Sequence, residues 1–369
     1  MRFTHKILIN IVVIVVILIV FYAYQINERQ TAASLTGNSV SEKQIIINEL
    51  PNKLHANKQI ESSVQWVSHK TTHSIRKQDE YNVWCIFTKV ANNSPMKRKF
   101  ERFAVSLISQ STVVIKLHLI VDDSSKTLAH EVLRSVKKLT NKTFEEFYYN
   151  VNNLAEKLQD IISSMQPHFS SQPGSYYSDA LFFLSLGLHR IAKGQTRAIM
   201  FDADTRILTD IALLFQEFEK FGSSTLFGLA PELSPVYRHI LYTYRSKYKN
   251  TTFGDPVDKG GFPGVNSGVI MFQFDNIRKS EQYSDLLRPE SVRNLSSKYD
   301  FKGHLGDQDF YTLIGMEHPL MIHLLGCEWN RQLCTWWKNH GYQDIFDDFF
   351  RCEKQIKIFH GNCNTAIPN

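Results

Sequence analysis

The chain has 369 residues and a formal net charge of +6, with 42 lysine and arginine residues against 36 acidic residues. The basic residues are scattered without long basic runs, so the charge does not indicate a nucleic-acid-binding protein, while small anionic ligands stay compatible with it. The roughly 290 residues after position 80 are enough for one large domain with a single substrate cleft.

The amino terminus carries an apolar segment, residues 7–24, which is interrupted only by Asn10 and contains no charged residue. It is long enough to cross a bilayer as a helix. Because Arg2 and Lys6 precede it and no comparable basic cluster follows, the positive-inside rule places residues 1–6 in the cytosol and the rest of the chain in a lumen. The alternative is a cleaved signal peptide, which the length of the apolar segment disfavours.

Residues 25–80 are polar, which predicts a stalk that is poorly ordered in part, and residues 81–369 form the predicted catalytic domain. A luminal location would make four Asn-x-Ser/Thr sequences of that domain candidate glycosylation sites. They begin at Asn92, Asn141, Asn250 and Asn294.

Four of the five cysteines lie in the last 43 residues, whereas Cys85 stands alone in an apolar segment. An oxidising lumen would join the four in two disulfide bonds. Three pairings are available, and we favour Cys327 with Cys352 and Cys334 with Cys363. The alternative, a four-cysteine zinc site, is disfavoured because no Cys-x-x-Cys pair is present.

Apolar runs and helical spacings alternate along the predicted domain, which is typical of an α/β fold with a Rossmann-like, mostly parallel, twisted sheet flanked by helices. Predicted strands lie at residues 83–87, 113–121, 144–151, 198–201, 225–230, 269–272 and 356–360. Predicted helices lie at residues 97–109, 124–139, 154–165, 177–191, 235–248 and 304–314, with one more beginning at Thr209 or Asp210.

The predicted strand 198–201 stops at Asp202, and Asp204 follows two residues later. In an open α/β sheet, ligands bind in the crevice beyond the carboxyl ends of the strands, so we expect both carboxylates to face a ligand. Such a pair suits a divalent cation that also takes phosphate oxygens. The alternative is a turn that caps the next helix.

Three later segments carry further polar candidates. Asn266 and Ser267 lie among glycines at the start of a strand, where the backbone can approach a ligand closely, although an ordinary glycine-rich turn is the alternative. Asp307 or Asp309 is expected to cap the helix 304–314. His360 ends the last strand and, unless it is structural, would add a nitrogen ligand that favours Mn²⁺ over Mg²⁺.

In their order and spacing, these segments resemble the active-site motifs of the family 8 glycosyltransferases, from about residue 82 to the end of the chain. The motifs are Asp202-Ala-Asp204, Asn266-Ser-Gly-Val269, Asp307-Gln-Asp309 and His360-Gly-Asn362. Within that family, residues 260–268, 304–309, 327–337 and 359–365 are most similar to members that transfer xylose. The resemblance implies a GT-A-type fold.

The resemblance also implies a retaining α-1,3-xylosyltransferase that moves xylose from UDP-xylose to the xylose of O-glucose-linked glycans on EGF-like repeats, as in Notch. It implies a single-pass type II protein of the endoplasmic reticulum membrane, with the Golgi as the alternative, and a homodimer is one candidate assembly. The alternatives are another family 8 transferase, such as a glucoside xylosyltransferase, and a non-catalytic luminal glycan-binding protein of the same fold.

Residue roles follow from the same resemblance. Asp202, Asp204 and His360 are expected to bind Mn²⁺, with Mg²⁺ less favoured, while Gln308 and Asp307 are the catalytic candidates. The expected substrate-binding residues are Thr88, Lys89, Asn266, Ser267, Gly268, Asp307, Gln308, Gly361, Asn362 and Trp337. Of the tryptophans near the acceptor side, Trp329, Trp336 and Trp337 are candidates for stacking on sugars.

Two departures from the family pattern concern the diphosphate. Residues 363–368 stand where many members carry Lys-Pro-Trp, whose lysine contacts the pyrophosphate, and residues 177–179 stand where a basic residue is usual. Neutralisation of the diphosphate is therefore expected from the metal ion, from Lys89, or from backbone N–H groups near Gly361.

Overall fold

The structure, a computed structural model, describes residues 80–170 and 180–368. Its strands are β1 (Tyr81–Phe87), β2 (Ile115–Val121), β3 (Glu145–Asn150), β4 (Arg197–Phe201), β5 (Thr205–Ile207), β6 (Phe227–Pro231), β7 (Val265–Gln273), β8 (Ile322–Leu324), β9 (Arg331–Gln332) and β10 (Ile358–His360). Its α-helices are α1 (Pro95–Gln110), α2 (Asp123–Thr140), α3 (Val151–Lys157), α4 (Gln159–Phe169), α5 (Leu188–Ile191), α6 (Ile211–Phe215), α7 (Val236–Ile240), α8 (Tyr242–Lys247), α9 (Phe274–Lys279), α10 (Glu281–Leu286), α11 (Pro289–Lys298), α12 (Asp307–Glu317) and α13 (Gln343–Phe350).

A seven-stranded sheet has the order β3-β2-β1-β4-β7-β6-β8. Strands β3, β2, β1 and β4 run parallel to one another, β6 is parallel to β8, and β7 is antiparallel to both β4 and β6. A smaller sheet has the order β5-β10-β9. The prediction of an α/β fold with a mostly parallel central sheet is confirmed.

The seven-stranded sheet separates two apolar cores. Along β1, Trp84 belongs to one core and Val83 and Cys85 to the other, as expected when successive side chains point to opposite faces of a strand. In β4, Met200 belongs to the same core as Trp84, and Phe201 belongs to the other core. Burial on both faces explains why these strands appear in the sequence as continuous apolar runs.

The antiparallel strand β7 brings its first residues to the edge of the sheet where β4 ends. Phe201 pairs with Val269, and the N–H of Asp202 donates to the carbonyl of Gly268 at 3.0 Å. We call this edge, with the carboxyl ends of β1 and β4 and the start of β7, the site edge. Polar residues that are far apart in the sequence meet there.

Some predicted helices differ from the observed elements. Residues 180–187 form a 3-10 segment instead of part of an α-helix over 177–191. Because buried side chains follow one another along this segment, they define no single helical face. The helices predicted over residues 154–165 and 235–248 are each divided into two shorter helices.

The cap of α12 also differs from the prediction. The N-cap is Gly306, whose φ of 70° lies in the region that favours glycine, and no side chain caps the helix. The expectation that Asp307 or Asp309 caps it is therefore wrong. By contrast, Asp210 caps α6 by accepting from the N–H of Ala212, which confirms one of the two predicted caps.

The predicted cytosolic tail (1–6) and membrane anchor (7–24) lie outside the described residues, as does the stalk apart from Glu80. Within the part of the chain that the structure describes, no helix is long and apolar enough to span a bilayer. The anchor, the stalk and the domain boundary at residue 81 stay predictions.

Two disulfide bonds cross-link the carboxyl-terminal region, Cys327–Cys352 and Cys334–Cys363. They confirm the favoured pairing, and they leave no thiolates for the alternative zinc site. The second bond ties the segment that follows His360 to the segment that follows β9.

Asp122 organises the loop that follows β1. It caps α2 by accepting from the N–H of Ser125 at 2.8 Å, and it also accepts from the hydroxyl of Ser124 and the N–H of Lys89. Burial opposes the charge of this carboxylate, but the hydrogen bonds outweigh burial and lower the pKa of Asp122 to about 2. Lys89 has a φ of 57°, so Asp122 stabilises a backbone conformation that is uncommon for lysine.

We expect Asp122→Ala to lower the free energy of unfolding by about 1–2 kcal/mol at neutral pH, because a cap and an N–H acceptor are lost. The folded-state pKa lies below the ordinary value of 3.8, so this stabilisation is complete above that value and is lost as the pH falls towards about 2. Urea unfolding of both proteins at neutral and acidic pH measures the effect. A difference between the proteins that does not shrink in acid would contradict the assignment.

Candidate functional site

Backbone pairing brings three side chains together at the site edge. Asp202 and Asp204 lie in the turn between β4 and β5. Because β10 pairs antiparallel with β5, His360 lies opposite Thr205, and the N–H of Gly361 donates to the carbonyl of Asp204 at 2.8 Å. The two carboxylates and the distant imidazole therefore converge, as the sequence predicts.

The geometry of this cluster fits a divalent cation. Candidate ligand atoms of Asp202, Asp204 and His360 all lie within 4.8 Å of one another. Nε2 of His360 is 3.5 Å from Oδ2 of Asp202 and 3.5 Å from Oδ1 of Asp204. Adjacent ligands of an octahedral ion lie about 3 Å apart, so small shifts would complete the coordination. Two carboxylates and one imidazole suit Mn²⁺.

The three side chains differ in exposure. The side chain of Asp202 is 57% exposed and that of Asp204 17%, whereas that of His360 is only 4% exposed. A Cβ atom on Gly268 would lie 2.2 Å from Cε1 of His360, so the glycine permits the imidazole to pack against β7. Gly268 thus has a structural role beside its predicted contact with the substrate.

A chain of buried amides orients the imidazole of His360. The N–H of Gly268 donates to Oδ1 of Asn266 at 3.1 Å, so this oxygen is an acceptor. Nδ2 of Asn330 therefore donates to it at 2.9 Å, and Oδ1 of Asn330 faces Nδ1 of His360 at 3.1 Å. Nδ1 consequently carries a proton, and Nε2, which faces the two carboxylates, is the nitrogen that can bind a cation once it is deprotonated.

Charges within the cluster stabilise one another. Burial disfavours the charged imidazole, but hydrogen bonds and charges from Asp202 and Asp204 raise the pKa of His360. Burial likewise disfavours the Asp204 carboxylate, but His360 and Lys99 lower its pKa. A proton on Nε2 therefore competes with a metal ion, so we expect divalent-cation binding to strengthen as the pH rises.

Asp307 begins α12 beside the start of β7. Its carboxyl group accepts from the hydroxyl of Ser185 and from that of Ser267 at 3.1 Å. Burial and the negative charge of Asp202 raise the pKa of Asp307 to about 7, against these hydrogen bonds. Asp307 is therefore a buried carboxyl group that two hydroxyl groups hold in place.

The amide of Gln308 is held on both sides. The N–H of Ser267 donates to its Oε1 at 3.2 Å, while its Nε2 donates to Oε2 of Glu232 at 3.3 Å and to the hydroxyl of Tyr237 at 3.2 Å. Tyr237 in turn donates to Asp309 at 3.0 Å. Gln308 therefore has one defined orientation at the site edge.

Asn266 is buried, and its side chain makes hydrogen bonds within the protein, so its contact with a sugar stays a prediction. Its Nδ2 donates to Glu232 at 2.9 Å, and its Oδ1 accepts from the N–H of Gly268 and from Nδ2 of Asn330. The N–H of Gly361 donates to the carbonyl of Asp204, so a backbone donor to the diphosphate near Gly361 would have to be another N–H group, and that contact stays a prediction. Asn362 accepts from the N–H groups of Leu333 and Cys334, each at 2.9 Å.

The remaining predicted contacts lie on two sides of the cluster. Thr88 and Lys89 follow β1, the strand next to β4, at the site edge. Trp337 lies in an aromatic group with His239 at 5.1 Å and Tyr342 at 5.4 Å between ring centroids. Their substrate contacts stay predictions.

Sequence reasoning missed three residues of the site. Glu232 directly follows β6, so the rule that selected Asp202 would also have selected it. Asn330 lies in the segment 327–337 that carries the family resemblance. Lys99 has no motif around it, and only the fold shows that its Nζ is 3.3 Å from Oδ2 of Asp204.

We expect Asn330→Leu to weaken Mn²⁺ binding by about 10-fold to 100-fold, because His360 loses the acceptor that fixes its tautomer. Asn330→Asp keeps an acceptor towards His360 and should bind Mn²⁺ more tightly than Asn330→Leu. Electron paramagnetic resonance titration measures free Mn²⁺, and circular dichroism checks folding. Unchanged affinity in a folded Asn330→Leu protein would refute this role.

Comparison with known proteins identifies the family, although no protein-family model matches the chain. Xyloside xylosyltransferase 1 of Mus musculus and that of Homo sapiens are each 42% identical to the chain over 295 residues, 78% of this chain and 75% of the relative. The apo crystal structure of the mouse protein matches with a TM-score of 0.74, over 78% of this chain and 100% of that chain. The chain therefore belongs to the same glycosyltransferase family as xyloside xylosyltransferase 1, as its resemblance to the family 8 enzymes predicts, and it is an enzyme of that class.

Proposed function

We propose that the chain is a retaining α-1,3-xylosyltransferase that moves xylose from UDP-xylose to the xylose of O-glucose-linked glycans on EGF-like repeats of the Notch type. The observation that carries the proposal is the cluster of Asp202, Asp204 and His360, in a chain that is 42% identical to a protein named as a xylosyltransferase. Mn²⁺ is the proposed cofactor, and Mg²⁺ is less favoured.

The proposed location is the membrane of the endoplasmic reticulum, with the catalytic domain in the lumen. The uncharged apolar segment 7–24 supports an amino-terminal anchor. The two disulfide bonds support an oxidising compartment.

The cluster provides a place for the donor diphosphate. Asp202 and Asp204 would hold the ion through carboxylate oxygens, and His360 would hold it through Nε2. A bound divalent cation would neutralise negative charge on the leaving UDP. Because the side chain of Asp202 is the most exposed of the three, we place the donor on its side of the cluster.

Retention of configuration requires either a protein nucleophile or attack from the face of the leaving group. The amide of Gln308 is a poor nucleophile, and Asp307 is held by two hydroxyl groups. We therefore favour attack from the leaving-group face. Oε1 of Gln308 would stabilise positive charge at the anomeric carbon, and the departing phosphate would accept the proton of the acceptor hydroxyl.

The tryptophans of the carboxyl-terminal region differ in what they offer an acceptor. Trp329 is only 2% exposed, and Nζ of Lys357 lies 3.9 Å from its ring centroid, so this residue packs inside the protein. Trp336 is 51% exposed and Trp337 is partly buried. The proposed sugar-stacking surface is therefore reduced to Trp336 and Trp337.

The proposal is tested with UDP-xylose, other UDP-sugars, and xyloside and glucoside acceptors, with products analysed by mass and linkage. We expect Mn²⁺-dependent transfer to the xyloside, and Asp204→Asn should lower the rate by at least about 100-fold, because a charged metal ligand is lost. Asp275→Asn is the matched control, since Asp275 lies in the first turn of α9, at the opposite end of β7.

Two results would change the assignment. Transfer to the glucoside alone would favour the alternative acceptor, and preference for another donor sugar would contradict the xylose assignment. Retention of activity in Asp204→Asn would show that the reaction does not require the metal site.

Gln308→Ala should lower kcat more than it changes KM for the donor, because the amide acts on charge that develops in the transition state. The product should keep its α configuration. Intact-protein mass spectrometry of the wild-type enzyme during turnover should show no added pentose. A covalent adduct at Gln308 or Asp307 would instead establish a protein nucleophile.

A further inference from the structure

We propose that Lys99 binds the diphosphate of the donor, and that it changes partners on binding: it neutralises Asp204 in the ligand-free enzyme and moves to phosphate oxygens when a cation and the donor are bound. This inference rests on the proposed function. It supplies the basic residue that the sequence lacks at the two positions where family 8 enzymes usually carry one.

The position of Lys99 is the first argument. Lys99 lies on α1, and its Nζ contacts two segments of the site at once, Oδ2 of Asp204 at 3.3 Å and Oδ1 of Asn364 at 2.9 Å. Its side chain is 21% exposed, so it borders the crevice without being free in solvent. Asn364 lies in the segment that follows His360, the region where the family lysine is missing.

The charge of the site is the second argument. Two carboxylates and a divalent cation, with His360 neutral, leave a cluster with no net charge. A bound diphosphate then adds at least two negative charges, which favour a further cation nearby. Lysine is well suited to this task, because its ammonium group is a compact charge on a flexible stem.

The two oxygens of Asp204 explain how the exchange takes place. Oδ1 faces Nε2 of His360, whereas Oδ2 faces Nζ of Lys99. A divalent cation on the Oδ1 side repels the ammonium group and weakens its contact with Asp204. The lysine can then turn to the incoming phosphate oxygens while Asp204 stays neutralised.

A purely structural role is the alternative, in which Lys99 only connects α1 to Asp204 and Asn364. The two roles predict different patterns. If Lys99 is purely structural, its removal should weaken the binding of every ligand of the site. A residue that exchanges partners would weaken UDP binding but would not weaken Mn²⁺ binding in the absence of UDP.

The experiment measures three affinities for the whole protein and for Lys99→Met. Calorimetry measures the affinity for UDP in saturating Mn²⁺, and ligand-observed NMR measures the affinity for uridine. Electron paramagnetic resonance measures the affinity for Mn²⁺ alone. We expect UDP affinity to fall by about 10-fold or more, because a charge-assisted contact is lost. Uridine affinity should not change, and Mn²⁺ alone should bind equally or more tightly.

Two further variants serve as controls. Lys97→Met removes the same charge from α1, but Nζ of Lys97 contacts Asn92 outside the site, so its three affinities should equal those of the wild type. Lys99→Arg keeps the charge and should recover part of the UDP affinity. A Lys97→Met protein with the same loss of UDP affinity would show a general effect of charge and overturn the inference.

Failure of this inference is distinguishable from failure of the proposed function. If the wild-type protein binds UDP with Mn²⁺ and Lys99→Met binds it equally well, the role of Lys99 is refuted and the proposed function stands. Equal losses for UDP, uridine and Mn²⁺ in Lys99→Met would establish the structural role instead. If the wild-type protein does not bind UDP, the proposed function fails and the inference fails with it.

Discussion

The site depends on holding two carboxylates close to each other and to an imidazole. Asp202 and Asp204 repel one another, and their turn would relax away from this arrangement if the backbone were free. Pairing of β4 with β7 fixes the first carboxylate, and pairing of β5 with β10 holds the second one close to His360. Main-chain hydrogen bonds thus offset the repulsion between the two carboxylates, and a bound cation would remove the repulsion that remains.

Behind the cluster, the protein uses neutral amides and not charges to hold the imidazole. The backbone N–H of Gly268 cannot change its role as a donor, so it fixes the orientation of Asn266, which fixes Asn330, which fixes His360. Glu232 joins this chain to Gln308. In a buried environment each of these bonds is costly to lose, so the proposed metal ligand His360 and the proposed catalytic amide of Gln308 share one rigid support.

Particular residues show how far sequence reasoning reached. Asp202 was predicted because it follows an apolar run that is typical of a buried strand, and ligands of an α/β sheet bind beyond such strand ends. His360 was predicted because it ends a short strand, which the structure places in the smaller sheet. Strand β5 was missed because three residues are too few to show a period. Lys99 was missed because a lysine on the polar face of an amphipathic helix gives the same sequence pattern whether it faces solvent or a site.

The sequence by itself determined the α/β pattern, a mostly parallel sheet, most of the long strands and helices, and the candidate ligands, because these follow from local apolar patterns, residue chemistry and family resemblance. It left three disulfide pairings open, and the tertiary structure decided between them. The tertiary structure alone decided what each candidate contacts. It brings the ammonium group of Lys99 into contact with Asp204, and it buries Asn266 behind the cluster. It also makes Gly306 the N-cap of α12. Contacts between residues over 100 positions apart depend on strand order and register, and neither is written in any local stretch of the chain.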